Sequence, residues 1–273
     1  MLLLANGLGG PVAAFRHQVA HFSRRYRVVT WDYRGLYGSR SAASIDRVDV
    51  EAQAEDLERV LDAVGAEQAV FVGWSMGVQV VLELIARRPE RASHLVLMSG
   101  SSGRPFAQVR LPGTERWLSP LLFGAEKNVK LVSGVVERLA RSRSAANWVR
   151  RLRIVHPRFE TDSLLSLAEE FTTIDFEIYF RTLRALNDHD GSGALARVHA
   201  PTLVVTGSRD LILPPRAARD LASRLPRGEL YVVADGTHYA PAEFPDLVNA
   251  RIDRFLAMNE LTDSTAGARL SPP

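Results

Sequence analysis

The stretch "AVFVGWSMGVQVVLELIARRP" (69–89) limits the possible folds more than any other part of the chain. An unbroken apolar run from Ala69 to Trp74 passes, through one sharp corner, into a helix-like segment that begins at Met76 and stops before Pro89. A strand that is apolar at every position, rather than at every second one, needs cover on both faces. The same alternation recurs along the chain. "LLLA" (2–5), "YRVVTWD" (26–32), "HLVLMSG" (94–100), "PTLVVTG" (201–207) and "ELYVVAD" (229–235) read as strands. Helical spacing appears in 10–22, 48–65, 214–225 and 241–258; in 48–65 it runs through Val50, Ala54, Leu57, Val60, Leu61 and Val64, with Gly65 as a stop. The expected architecture is α/β, a mostly parallel sheet flanked by helices.

The alternation fails between about 104 and 192, where "VKLVSGVVERLARS", "SLLSLAEEF" and "FEIYFRTLRAL" show helical spacing and no strand is evident. Because this stretch lies between two sheet strands, it reads as a helical insertion. Residues 1–103 and 193–258 are then the core and 104–192 a helical cap, while the polar 259–273, ending in two prolines, is expected to be disordered.

A chain of 273 residues that is 46% hydrophobic is long enough for one large core. Its pI of about 9.5 suggests a basic protein, but Lys127 and Lys130 are the only lysines and the formal net charge is just +3. With so little titrating above neutral pH, a small excess of arginine raises the pI. No basic cluster interleaved with aromatics marks a nucleic-acid groove, so nucleic acid is not an expected partner. The chain has no cysteine, which removes thiolate catalysis and Cys-metal sites together. "MLLLANGLGG" lacks the charged start of a signal peptide, and no run approaches the roughly 20 apolar residues of a membrane span. The default expectation is a cytoplasmic protein with a small-molecule substrate and no membrane partner.

Gly73-Trp74-Ser75-Met76-Gly77 matches G-x-S-x-G in the required setting of strand, corner and helix. Glycines suit a corner that crowds its neighbouring backbone, and the serine is thereby pushed out above the strand ends. The N–H of Met76, at the start of the helix, is a donor for a developing oxyanion. A serine nucleophile needs a base, and the base needs an orienting acid. His238, in "GTHYAP", follows a strand and faces the same sheet edge as Ser75; the other six histidines lie in helix-like, strand-like or connector segments. His189, in the polar "NDHDGSG", has no second ligand at a recognisable metal spacing. Asp210 follows the preceding strand and leaves room for one helix and one strand before His238. The order Ser75, Asp210, His238 suits this strand layout. Asp235 is the rival acid, three residues before the base, where turn formation suits it better. "ANGLGG" (5–10) supplies a second oxyanion donor, the N–H of Leu8. Trp74 and, in the insertion, Trp117, Trp148, Phe171, Phe176 and Tyr179 are the candidates for an apolar pocket, although packing between helices is the simpler role for any one of them.

On "NGLGG", "WDYRGLYGSR", "GWSMG", "GSRDLILPP" and "DGTHYAP", the chain resembles the α/β-hydrolase family from residue 1 to about 258. The resemblance implies a parallel core, a helical cap over the site, and acyl transfer through a serine ester with no cofactor and no metal. "WDYRGLYGSR" resembles the family's D-x-R-G-x-G-x-S turn, which makes Asp32 and Arg34 structural. "GWSMG" with a cap is similar to small-ester and enol-lactone hydrolases and to the esterases of pimeloyl-carrier-protein methyl ester.

Two positions depart from the family pattern. Asn6 stands where a histidine is usual before Gly7. The first strand corresponds to the family's third, so the usual opening pair has no counterpart and 26–32 becomes a sheet edge. An upstream start is the expected explanation, with a covered edge or pairing into a homodimer as the alternatives. The expected function is a serine hydrolase of a carboxylic ester, thioester or lactone. The same triad also serves C–C hydrolysis, perhydrolysis and acyl transfer, and a ligand-binding homologue without turnover is the reading from another class.

Overall fold

The computed structural model describes residues 1–40, 46–108, 124 and 127–268. Strands β1 (Leu2–Ala5), β2 (Val28–Thr30), β3 (Ala69–Trp74), β4 (Ala92–Met98), β5 (Thr202–Gly207) and β6 (Gly228–Val233) form one sheet in the order β2-β1-β3-β4-β5-β6. Every neighbouring pair is parallel. Helices α1 (Arg16–Phe22), α2 (Val50–Ala63) and α3 (Met76–Arg87) connect the first four strands. Between β4 and β5 lie α4 (Pro105–Gln108), α5 (Val129–Ala140), α6 (Arg143–Arg151), α7 (Thr161–Phe171) and α8 (Phe176–Asp188). The chain closes with α9 (Pro215–Arg224), α10 (Ala240–Glu243) and α11 (Pro245–Ala268).

The continuous apolar strands produce two cores, because successive side chains on a strand point to opposite faces. Leu3, Ala5, Phe71 and Leu97 pack with Leu57 and Leu61 of α2, Val81 of α3 and Leu221 of α9. Leu2, Leu4, Val72 and Met98 pack on the other face with Phe22 of α1 and Val248, Ile252 and Phe255 of α11. Helix α2 begins where Asp49 accepts the N–H of Ala52 at 2.8 Å, and it is tied back to the chain after β2 by Arg34. That guanidinium donates to both carboxylate oxygens of Asp56 at 2.7 Å, which fits the structural reading of Arg34. Asp32 accepts the N–H of Gly38 within its own turn.

Strand β2 is short, half-buried and at the sheet edge, as expected of 26–32. The last helix differs from expectation: α11 continues through Ala268, where residues beyond 258 were expected to be disordered. Up to Leu256 the helix is anchored by its buried face. From there to Ala268 the sequence has no proline and one glycine, so the helix can grow by one hydrogen bond per residue without a new nucleus. The insertion between β4 and β5 leaves and re-enters at adjacent points. Gly103 bridges Asp190, and the N–H of Arg104 donates to the carbonyl of His189 at 3.0 Å. Among the described residues no helix is long and apolar enough to cross a membrane.

The order of strands reverses at β1, with β2 on one side and β3 on the other, so the loops after β1 and β3 diverge and leave a crevice at the strands' carboxyl ends. The crevice is narrow at its base because α3 starts in contact with β1. A Cβ at Gly77 would stand 2.1 Å from the carbonyl oxygen of Ala5, and one at Gly73 would stand 2.7 Å from the carbonyl oxygen of Gly77. Neither neighbour is a side chain that can turn away. Gly77→Ala is therefore expected to lower unfolding free energy by about 2 kcal/mol or more. Gly134→Ala, in α5 with nothing near its Cβ position, is expected to raise it by about 0.5–1 kcal/mol. Urea denaturation of both variants checks the pair, and a Gly77→Ala protein as stable as the parent contradicts the packing.

Candidate active site

Ser75 sits at the corner between β3 and α3 with φ 55 and ψ −114. A non-glycine residue in this region carries strain of about 1–3 kcal/mol and persists only where its surroundings impose it. Here the N–H of Ser75 donates to the carbonyl of Met98 at 2.9 Å, and its own carbonyl accepts from Val78 at 3.1 Å. The corner is thus held by the neighbouring strand on one side and the first turn of α3 on the other. The N–H of Met76 belongs to that first turn, whose donors have no intrahelical acceptor.

His238 lies in the loop between β6 and α10, and Asp210 in the loop after β5. The carboxylate of Asp210 is buried; one oxygen accepts the N–H groups of Ile212 and Leu213 at 2.9 and 2.8 Å. Its other oxygen lies 2.9 Å from Nδ1 of His238, and Nε2 of His238 lies 3.0 Å from Oγ of Ser75. A carboxylate only accepts, so Nδ1 carries the proton and Nε2 is left to accept from the serine hydroxyl. The residues picked from three separate segments therefore form one continuous hydrogen-bonded chain. Asp235, the rival acid, points elsewhere and pairs with Arg209 at 2.7 Å. The loop carrying His238 is fixed from both ends. Trp74 Nε1–H donates to the carbonyl of His238 at 3.0 Å. Glu243 accepts the N–H of Thr237 at 2.8 Å and the backbone N–H of His156, in the insertion, at 2.6 Å.

The loop after β1 presses against the serine, since a Cβ at Gly7 would stand 3.3 Å from Cβ of Ser75. Asn6 holds this loop from inside. Its Nδ2 donates to the carbonyls of Gly10 and Pro11 at 2.7 and 2.8 Å, and its Oδ1 accepts the N–H of Gly7 at 3.0 Å. Two tyrosines hold it from outside: Tyr33 donates to the carbonyl of Asn6 at 2.7 Å and Tyr37 to that of Gly9 at 2.6 Å. Burial pushes both phenols above their ordinary pKa, which keeps them protonated as donors. The N–H of Leu8, in the middle of the loop, has no acceptor among the described residues. Sequence reasoning missed the roles of Tyr33 and Tyr37. The available signal was Tyr37, which occupies a glycine position of the D-x-R-G-x-G-x-S pattern and takes φ 45 to do so.

A cavity of ≈ 300 Å³ is lined by Leu8, Phe15, Leu164, Phe171 and Tyr179, and by Trp74 and Tyr239, the chain neighbours of Ser75 and His238. Of the sequence candidates, Trp74, Phe171 and Tyr179 line this cavity. Two other candidates do not. Trp148 is 60% exposed on the outer side of α6, with the Arg151 guanidinium 5.6 Å from its ring centroid. Phe176 is buried behind the cavity wall, packed edge-to-face on Phe171 at 5.5 Å. Helical spacing identifies residues that share a face, but not which face meets the cavity. Trp117 lies outside the described residues. Leu164 and Tyr239 were missed; Tyr239, adjacent to His238, could have been found by its position.

His189 is a packed connector residue, with Nδ1 2.6 Å from Gln79 Oε1 and Nε2 3.2 Å from Glu83 on α3. Among the described residues, no three His, Cys, Asp or Glu side chains converge to hold a metal ion.

Comparison with known proteins identifies the fold family. The alpha/beta hydrolase fold family model matches residues 1–245. The chain is similar to a protein of Agrobacterium fabrum named carbamate hydrolase RutD, 28% identical over 93% of this chain and 92% of that one. Among solved structures, a hydrolase from Oleispira antarctica shares the fold with a TM-score of 0.77 at 19% identity, over 94% of this chain and 90% of that chain. The enol-lactonase from Burkholderia xenovorans does so with a TM-score of 0.69 at 22% identity, over 94% and 90%. The chain belongs to the α/β-hydrolase fold family and is a hydrolase.

Proposed function

We propose that the protein cleaves a carboxylic ester, thioester or lactone of a small, mainly apolar substrate through an acyl-enzyme on Ser75. The observation that carries this reading is the unbroken chain from Ser75 Oγ through His238 to Asp210, at 3.0 and 2.9 Å. Oγ of Ser75 attacks the substrate carbonyl while its proton passes to Nε2 of His238. The N–H groups of Leu8 and Met76 hold the oxygen that becomes negative. Collapse of this intermediate breaks the bond to the leaving group, which takes the proton from Nε2. Water then attacks the serine ester, gives its proton to the same nitrogen, and releases the acid and Ser75. Asp210 keeps the imidazole in the tautomer each step requires. The loop bonds from Asn6, Tyr33 and Tyr37 give the Leu8 donor a fixed direction, and preorganised donors are where much of such a rate enhancement arises.

The cavity supports a small acyl group with a largely hydrocarbon surface. The name of the Agrobacterium relative favours a carbamate as a second substrate class, since its carbonyl is open to the same attack.

Hydrolysis of a p-nitrophenyl ester series from acetate to decanoate by the purified protein is the direct test. Activity is expected with a short-to-medium chain optimum, and Ser75→Ala is expected to lower kcat by about 10⁴-fold or more. A folded Ser75→Ala protein with undiminished turnover overturns the acyl-enzyme. Asp210→Asn is expected to lower kcat by about 10³–10⁴-fold with KM little changed, because it alters the tautomer rather than the pocket. Steady-state kinetics on the best ester of the series separate the two constants.

A further inference from the structure

The cavity that Trp74 and Tyr239 share is lined mainly by apolar side chains, and two phenols supply its hydroxyl groups. Tyr179 comes from α8 in the insertion and Tyr239 from the loop that carries His238, and both rings line the cavity wall. Their placement is tightly determined. The Tyr179 ring stands edge-to-face on Phe171 and Phe180 at 5.3 and 5.4 Å. The Tyr239 ring stands edge-to-face on Trp74 at 5.6 Å and on the His238 imidazole at 5.8 Å.

Buried tyrosine hydroxyls nearly always have a hydrogen-bond partner, and the neighbouring pair obeys the rule: Tyr33 and Tyr37 each donate to a backbone carbonyl. Tyr179 and Tyr239 are placed differently. Among the described residues neither hydroxyl has a partner, yet neither is sealed within the packing. Burial, with the other phenol close by, pushes Tyr179 up to about 12, and burial also raises Tyr239. Both therefore remain protonated donors at any ordinary pH. A wall intended only for hydrocarbon could use phenylalanine at both positions, as it does at Phe171.

We infer that Tyr179 and Tyr239 are specificity-determining residues that donate hydrogen bonds to a second oxygen on the substrate, a ketone or ether oxygen a few bonds from the carbonyl that Ser75 attacks. The substrate class is thus an oxygen-substituted acyl group rather than a plain alkyl one. This rests on the proposed acyl-enzyme. A donor pair left unsatisfied by a purely apolar substrate discriminates more strongly than a matched apolar wall, since desolvating the hydroxyls is then uncompensated.

The test compares p-nitrophenyl 4-oxopentanoate with its isostere p-nitrophenyl 4-methylpentanoate, in which a methyl group replaces the ketone oxygen. The wild-type protein is expected to prefer the oxo ester by about tenfold or more in kcat/KM. Tyr179→Phe and Tyr239→Phe are each expected to reduce that ratio about fivefold. Because the readout is a ratio on one protein sample, a general loss of fold or activity does not mimic it. Turnover of both esters, with a ratio that neither Phe variant changes, overturns the inference and leaves the acyl-enzyme standing. Turnover of neither ester counts against the acyl-enzyme, and binding then decides. Titration of Ser75→Ala with methyl 4-oxopentanoate and methyl 4-methylpentanoate, followed by tryptophan fluorescence, is expected to show tighter binding of the oxo ester, lost on adding Tyr179→Phe. Equal binding of the two esters overturns the inference independently of catalysis.

Discussion

The site depends on how closely α3 approaches β1. With no side chain at Gly77, the first turn of the helix rests on the carbonyl of Ala5, at a distance where even one methyl group would collide with backbone. Three things follow from that contact. The corner at Ser75 has too little room for a relaxed backbone, so the serine is held at positive φ and stands above the sheet. The positive end of the α3 dipole is aimed at the same point. The loop after β1 also begins there, so Gly7 packs against the serine while Tyr33 and Tyr37 hold the loop by its carbonyls. The strain at Ser75 is sustained by parallel strand bonds and a buried helix on either side, and a less constrained corner would relax it away.

The parts of this arrangement that were legible in the sequence share one property: the chain's own periodicity or local chemistry dictates them. Continuous apolar strands at Ala69–Trp74 and Thr202–Gly207 predict a doubly covered sheet without reference to any other segment. Ser75, Asp210 and His238 were legible because parallel topology sends every strand's carboxyl end to one edge, so residues just past strand ends converge. The side chains of the insertion were not legible in the same way. Trp148 and Phe176 have the composition of a pocket wall, but one faces solvent and the other lies behind the wall. Which face of a helix meets a cavity is set by how helices dock on one another, and that depends on contacts between segments far apart in sequence. The hydroxyls of Tyr33 and Tyr37 illustrate the same limit, since their acceptors are carbonyls 27 and 28 residues away. The C-terminal end of α11 shows the opposite limit: composition there is indifferent to order, whereas a helix already anchored can extend through it.

The core and the insertion therefore divide the chemistry between them. In the proposed mechanism the sheet supplies reactivity, through groups at strand ends and through the Asn6, Tyr33 and Tyr37 bonds that stiffen the first loop. Selectivity is shared. The cavity wall is built from both parts: Leu8, Trp74 and Tyr239 from the core, and Leu164, Phe171 and Tyr179 from the insertion. Glu243 reinforces the join, binding the backbone just before His238 and the backbone N–H of His156 with one carboxylate. Among the described residues, no insertion side chain takes part in the Ser75–His238–Asp210 hydrogen bonds; the insertion reaches them through Glu243, which holds the backbone of Thr237 and of His156. Tyr179 belongs to the insertion and Tyr239 to the core, so the spacing of the two phenols depends on how the insertion docks. If the proposed acyl-enzyme holds, substitutions in α7 and α8 alter the cavity wall while Ser75, Asp210 and His238 stay on the core.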